Sequence, residues 1–181
     1  MNGTKKILQD ESHPLFNKDN MFNKEFPSDF RQIRYFTLMI VQKAPPEIKE
    51  INLLEQQISE IIKNAVKHGN KSDPEKKIKV WYTFSTEEAR LIVEDEGKGF
   101  NKIDEWNKFN EARQECLQNE DYIKLADYVA YRTEESDEND GGNAMFAAVE
   151  YWNEGVVFNN KGNAVAVGKK FPKKRPGIEI G

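Results

Sequence analysis

Residues 47–68, EIKEINLLEQQISEIIKNAVKH, decide the fold because they carry the clearest helical periodicity in the chain. Advanced at about 100° per residue, six apolar side chains fall within one arc and predict an amphipathic helix over the whole stretch. These six are Ile51, Leu54, Ile58, Ile61, Ile62 and Ala65. The opposite side is polar and carries Glu60 and Asn64 one turn apart, so that both can face one ligand.

Downstream of this helix, the sequence predicts a hairpin. Gly69 is a natural C-cap. KIKVWYTF (77–84) and ARLIVEDE (89–96) are apolar and β-branched segments separated by STEE, which is typical of two antiparallel strands. GGNAMFAAVEYW (141–152) then predicts a turn into a helix, and GVVFNNKGNAVAVGKKF (155–171) predicts a second hairpin.

Upstream, MFNKEF (21–26) predicts a short edge strand, and FRQIRYFTLMIVQK (30–43) predicts a helix capped by Ser28 or Asp29. The polar and charged stretch 102–140 carries scattered aromatic residues and ends in an acidic cluster. We expect one or two short helices in an inserted, mobile lid there.

The element order predicts an α+β fold, a two-layer sandwich with helices on one face of a mixed or antiparallel sheet. We expect one domain over residues 21–171, with the lid at about 101–141. Residues 1–20 are polar and predict an extension with limited structure of its own, and residues 172–181 predict a trailing tail.

Composition excludes several classes of function. A chain of 181 residues with a net charge of −4 argues against nucleic-acid binding, which usually requires a basic excess. No apolar run reaches the roughly 18 residues that a membrane span needs, so we expect a cytoplasmic protein without a membrane anchor. Cys116 is alone and the histidines lie far apart in sequence, which argues against a structural metal site or a thiol nucleophile.

Three motifs in this order resemble a known family. EIIKNAVKHGN (60–70), DEGKGF (95–100), a lid and GGNAMF (141–146) look like the Bergerat-type ATPase domain of histidine kinases, gyrase and Hsp90. The chain most resembles bacterial anti-sigma factor serine/threonine kinases, over about residues 24–170. The resemblance implies ATP and Mg²⁺ as cofactors, an antagonist protein and possibly a sigma factor as partners, and a homodimer.

The polar face of the long helix is the candidate catalytic and metal site. The amide oxygen of Asn64 can complete the octahedral shell of Mg²⁺, and Glu60 can orient or deprotonate an attacking hydroxyl. The resemblance matches Glu60 to the catalytic glutamate and Asn64 to the magnesium-binding asparagine. Lys67 is a candidate to neutralise phosphate charge. In isolation, all three also fit a solvated helix face, and His68 fits a helix C-terminus better than a general base.

The second motif is the candidate nucleobase site. Asp95 at a strand end can accept a hydrogen bond from an amino group, and the resemblance assigns it the adenine amine. Gly97 and Gly99 allow the close approach and unusual dihedral angles of a loop around a base. Taken alone, DEGKGF equally fits a plain turn after a strand.

The third motif departs from the family pattern, in which G-x-G precedes the last helix and its amides receive phosphates. Here the run is Gly142-Asn143-Ala144. If the third position needs a positive φ or a contact closer than a Cβ permits, the methyl group of Ala144 weakens phosphate binding and catalysis, whereas ordinary helical dihedral angles make it harmless.

Three functions remain open from the sequence. The first is a serine/threonine kinase that phosphorylates a small antagonist protein and sequesters a regulator such as a sigma factor. The second is a catalytically impaired binding module of the same fold, and the third is an ATPase like gyrase or Hsp90.

Overall fold

The computed structural model describes residues 5–128 and 144–172. The strands are β1 (Leu8–Gln9), β2 (Phe22–Pro27), β3 (Lys77–Phe84), β4 (Glu88–Glu94), β5 (Gly155–Phe158) and β6 (Ala164–Lys170). The helices are α1 (Ile33–Val41), α2 (Ile51–Asn64), α3 (Ile103–Gln118), α4 (Tyr122–Leu125) and α5 (Ala144–Tyr151). No helix in these ranges is long and apolar enough to cross a membrane.

The strands form one sheet in the order β1-β5-β6-β4-β3-β2. All neighbouring pairs are antiparallel except the parallel pair β1 and β5. In the centre, Val93 of β4 pairs with Val80 on one side and with Val165 on the other. The predicted edge strand and both predicted hairpins are therefore confirmed.

The helices cover one face of this sheet, as the sequence predicts for an α+β sandwich. Helix α2 turns its apolar arc inward, and Leu54, Ile58 and Ile62 are fully buried. Side chains that alternate along β3 and β4 meet this arc in one large core. They are Ile78, Val80, Tyr82, Ala89, Leu91 and Val93.

The long helix differs from its predicted bounds at both ends. It begins at Ile51 instead of residue 47, because the chain before it turns, with the Ile48 amide bonded to the Pro45 carbonyl. At the other end, residues Ala65–Gly69 form a π-helix, in which the amide of Asn70 bonds to the carbonyl of Ala65 at 2.9 Å. Gly69 has no positive φ, so it is not the expected left-handed C-cap.

The N-terminal segment is more structured than the expected extension. Strand β1 joins the sheet, and a 3₁₀ helix (Pro14–Phe16) buries Leu15 against the face opposite the helices. The guanidinium of Arg90 donates to three carbonyl oxygens of this segment at 2.9–3.0 Å. These three bonds go to backbone carbonyl groups, which every residue has. The polar composition of the segment therefore does not predict that it is held in place. The domain boundary at residue 20 stays a prediction.

Helix α3 corrects the expectation of one or two short helices in the insertion. It has 16 residues, and Trp106 is 1% exposed within the main core. The side-chain amide of Asn107 both accepts from and donates to the backbone of Ile7, at 2.9 Å each. Most of the expected lid after α3 and α4, including the acidic cluster, lies outside the described residues, as do residues 173–181 of the tail.

Candidate functional site

A cavity of about 790 Å³ lies between α2, α5 and the sheet. Its volume is typical of a small-molecule site. Much of its wall is apolar, with Ile61 and Ala65 on one side and Val93, Val165 and Val167 of the sheet on the other. The apolar wall fits a flat, uncharged ring system.

Charged side chains also line this cavity. Four lysines contribute to it, together with three acidic side chains. The lysines are Lys71, Lys76, Lys98 and Lys161, and the acidic residues are Glu60, Asp95 and Glu96. A ligand with both an apolar ring and anionic groups matches this mixture.

Helix α2 brings two of the predicted site residues to the cavity. Glu60 and Asn64 both line it, one helical turn apart, with Gln57 and Ile61 beside them. Their common orientation follows from the i, i+4 spacing on a regular helix. The carboxylate and the amide therefore face the same ligand volume, and their chemical roles stay a prediction.

Lys67 is placed differently from its prediction. It is absent from the residues that line the cavity, and its ammonium lies 5.3 Å from the centroid of the Phe30 ring. The π-helix that begins at Ala65 changes the angular spacing of the residues that follow Asn64. His68, not Lys67, extends the cavity-lining face.

Asp95 is held at one end of the cavity by backbone and side-chain contacts. Its Oδ1 accepts from the amide of Gly97 at 2.8 Å. Its backbone is bonded twice to Asn163, since its amide donates to the Asn163 carbonyl and its carbonyl accepts from Asn163 Nδ2, both at 2.9 Å. The carboxylate is consequently a fixed acceptor.

Burial raises the pKa of the Asp95 carboxyl above its usual range. The amide of Gly97 and the charges of Lys161 and Lys76 oppose this effect, but burial dominates. A donor group on a ligand can offset this cost of desolvation, because it supplies a hydrogen bond to the ionised form. The site therefore favours a ligand with an amino group at this end.

Three glycines allow the backbone to close around Asp95. A Cβ on Gly69 would overlap the Asp95 carboxylate, and one on Gly97 would overlap the carbonyl of Gly69. Gly99 has a φ of +96°, and a Cβ there would overlap the carbonyl of Lys161. Gly97 and Gly99 thus have the close approaches that the motif predicts, and only Gly99 has the unusual dihedral angle.

Gly69, Asn70 and Asn163 are the residues of this end that sequence reasoning missed. The sequence predicts Gly69 to be a helix C-cap, and its contact with Asp95 is visible only in the three-dimensional structure. Asn163 lies in the NNKGN turn (159–163), where asparagine is ordinary turn chemistry. The HGN triplet (68–70) directly after the helix was the one available signal.

Ala144 is the first residue of α5, is exposed and lines the same cavity. It is not among the described residues with positive φ. Of the two alternatives open from the sequence, the structure therefore supports ordinary dihedral angles, for which a methyl group causes no backbone strain. Gly142 and Asn143 lie outside the described residues.

Comparisons with known proteins show which family the chain resembles. The model of the histidine kinase-like ATPase domain matches residues 26–169. An anti-sigma F factor of Shouchella clausii is 26% identical over 91 residues, which are 50% of this chain. The match spans 62% of that relative's length.

Proposed function

Because the chain belongs to the histidine kinase-like ATPase domain family, we propose that its cavity binds ATP with Mg²⁺ and that it acts as an anti-sigma-factor-type serine/threonine kinase. One observation carries this proposal. An apolar cavity has the fixed, half-buried carboxylate of Asp95 at one end and the Glu60 and Asn64 side chains along one wall.

The residues present fit the nucleotide. Asp95 would accept a hydrogen bond from the exocyclic amine of adenine, and the valines of the sheet would contact the base. The Asn64 amide oxygen would hold Mg²⁺, which prefers oxygen ligands. When bound, Mg²⁺ neutralises phosphate charge. The cavity-lining lysines add positive charge for the same ligand.

Glu60 is the proposed catalytic residue. Its carboxylate would accept the proton of a serine or threonine hydroxyl on the substrate protein, which requires that hydroxyl within hydrogen-bond reach. The remaining contribution of the chain is positioning and charge stabilisation, which suffice for phosphoryl transfer. The proposed substrate is a small antagonist protein, and the proposed second partner is a sigma factor held by a homodimer.

Transfer of labelled phosphate from ATP to the cognate antagonist protein tests this function. The substitution Glu60→Gln keeps the size of the side chain and removes the proton acceptor. We expect it to lower the transfer rate by at least about 100-fold while the Kd for ATP changes by less than about twofold. Glu55→Gln, on the same helix but outside the cavity lining, is the matched control and leaves both unchanged.

Other results separate the alternatives. ATP binding without transfer by the wild-type chain favours a binding module that acts by partner sequestration. Appreciable ATP hydrolysis by the chain alone favours an ATPase like gyrase or Hsp90. A chain that binds no ATP contradicts the whole proposal.

A further inference from the structure

Asn70 is a buried polar residue next to the cavity. It has 0% exposure, and its side-chain amide makes three hydrogen bonds to three other segments. Its Nδ2 donates to the Ser28 hydroxyl at 2.7 Å and to the Lys77 carbonyl at 3.0 Å. Its Oδ1 accepts from the amide of Glu96 at 2.7 Å. One side chain thus ties the end of the π-helix to strand β3, to the chain after β2 and to the loop after β4.

The bond to Glu96 connects Asn70 to Asp95. Glu96 directly follows Asp95, and Gly69 directly precedes Asn70. Gly69 in turn packs so closely on the Asp95 carboxylate that no Cβ fits between them. The Asn70 side chain therefore sets the distance between Gly69, at the end of the π-helix, and the loop that carries the Asp95 carboxylate.

The two halves of the amide bind different partners. The Lys77 carbonyl requires a donor, whereas the Glu96 amide requires an acceptor. Asparagine supplies both from one short side chain. Loss of either bond would leave a backbone group without this partner in a part-buried position, which costs stability.

We propose that Asn70 is a positioning residue that aims the Asp95 carboxylate at the exocyclic amine of the nucleobase and so sets the preference for adenine. This inference rests on the proposed function, since it assumes that Asp95 contacts the base. Asn70 itself acts through Glu96 and Gly69, without contact to the ligand.

Isothermal titration with ATP and with inosine triphosphate, which has an oxygen in place of the amine, tests the role. We expect the wild-type chain to bind ATP more tightly than inosine triphosphate. In Asn70→Ala we expect the affinity for ATP to fall about tenfold and that for inosine triphosphate by less than about twofold, because only the aim of Asp95 changes. Asn110→Ala is the matched control. Asn110 is also buried, at 2% exposure, but bonds to the Lys5 carbonyl, and neither residue lines the cavity.

A second variant keeps the test decisive if Asn70→Ala folds poorly. Asn70→Asp retains an acceptor for the Glu96 amide and loses the donors, so we expect it to keep the preference for ATP at a lower Tm. Proportional losses for both nucleotides in Asn70→Ala, or loss of the preference in Asn70→Asp, would overturn the inference alone. A wild-type chain that binds neither nucleotide would overturn the proposed function as well.

Discussion

Two regions of the cavity lining are built in different ways. At the Asp95 end, three separate segments meet around Asp95, namely residues 69–70, 97–99 and 159–163, with glycines at the closest contacts. In the second region, the first turn of α5 presents the exposed Ala144, and one face of α2 presents the half-buried Glu60 and Asn64. Close packing makes the Asp95 end the more sensitive of the two to single methyl groups.

The largest effect is expected from Gly69→Ala. The new methyl group overlaps the Asp95 carboxylate, which must rotate away from its bond to the Gly97 amide. We expect the affinity for ATP to fall about 100-fold, or about 3 kcal/mol, in a calorimetric titration. Gly155→Ala is the control, because its φ of +133° makes the substitution strained but Gly155 lies outside the cavity lining. It should lower Tm and leave the Kd unchanged.

Asp95→Asn tests the same end without added volume. The amide oxygen can still accept from Gly97, but an ionised acceptor for the adenine amine is lost. We expect a loss of ATP affinity of about 30-fold, or about 2 kcal/mol. An unchanged Kd would contradict the assignment of the base to this end.

Asp95→Asn, which should weaken ATP binding, should also stabilise the folded protein. Burial raises the pKa of Asp95 in the folded state, so its ionised form lowers stability at neutral pH. This cost disappears as the pH falls through the raised pKa, because the protonated form is then populated. Asp95→Asn should therefore have a higher Tm than the wild type near pH 7, and the difference should shrink at about pH 4.

Asn64→Ala tests the second region, the face of α2 that lines the cavity. We expect ATP affinity to fall about tenfold in Mg²⁺ and by less than about twofold with a chelator present, because only the metal ligand is removed. Asn52→Ala, at an exposed position of the same helix outside the cavity lining, is the control. Equal losses with and without Mg²⁺ would contradict the metal assignment.

The smallest effect is expected from Ala144→Gly. Because Ala144 has no positive φ in the structure, restoring the glycine of the family pattern should change ATP affinity by less than about twofold. A gain of tenfold or more in the titration would show that the methyl group obstructs the phosphates.

The fold and the α2 part of the site could be predicted because both depend on the periodic spacing of residues along the chain. The apolar arc of α2 and the alternation of β3 and β4 are periodic, so their buried faces follow from residue spacing. Glu60 and Asn64 share a face for the same reason. Lys67 lies outside the cavity lining, because the π-helix after Asn64, closed by the bond from the Asn70 backbone amide to the Ala65 carbonyl, changes the residue spacing that periodicity assumes. Its role toward phosphate stays a prediction.

By itself, the sequence determined the α+β sandwich, the order of its elements, and the motifs that resemble the ATPase family. Only the tertiary structure decided that Gly69 and Asn70 belong to the Asp95 end, that Asn163 holds the Asp95 backbone, and that residues before Phe22 join the sheet. The physical reason is the separation in sequence between the residues that interact. Periodicity and turn chemistry act over a few neighbouring residues, whereas these contacts join segments up to 151 residues apart, which come together only when the sheet forms.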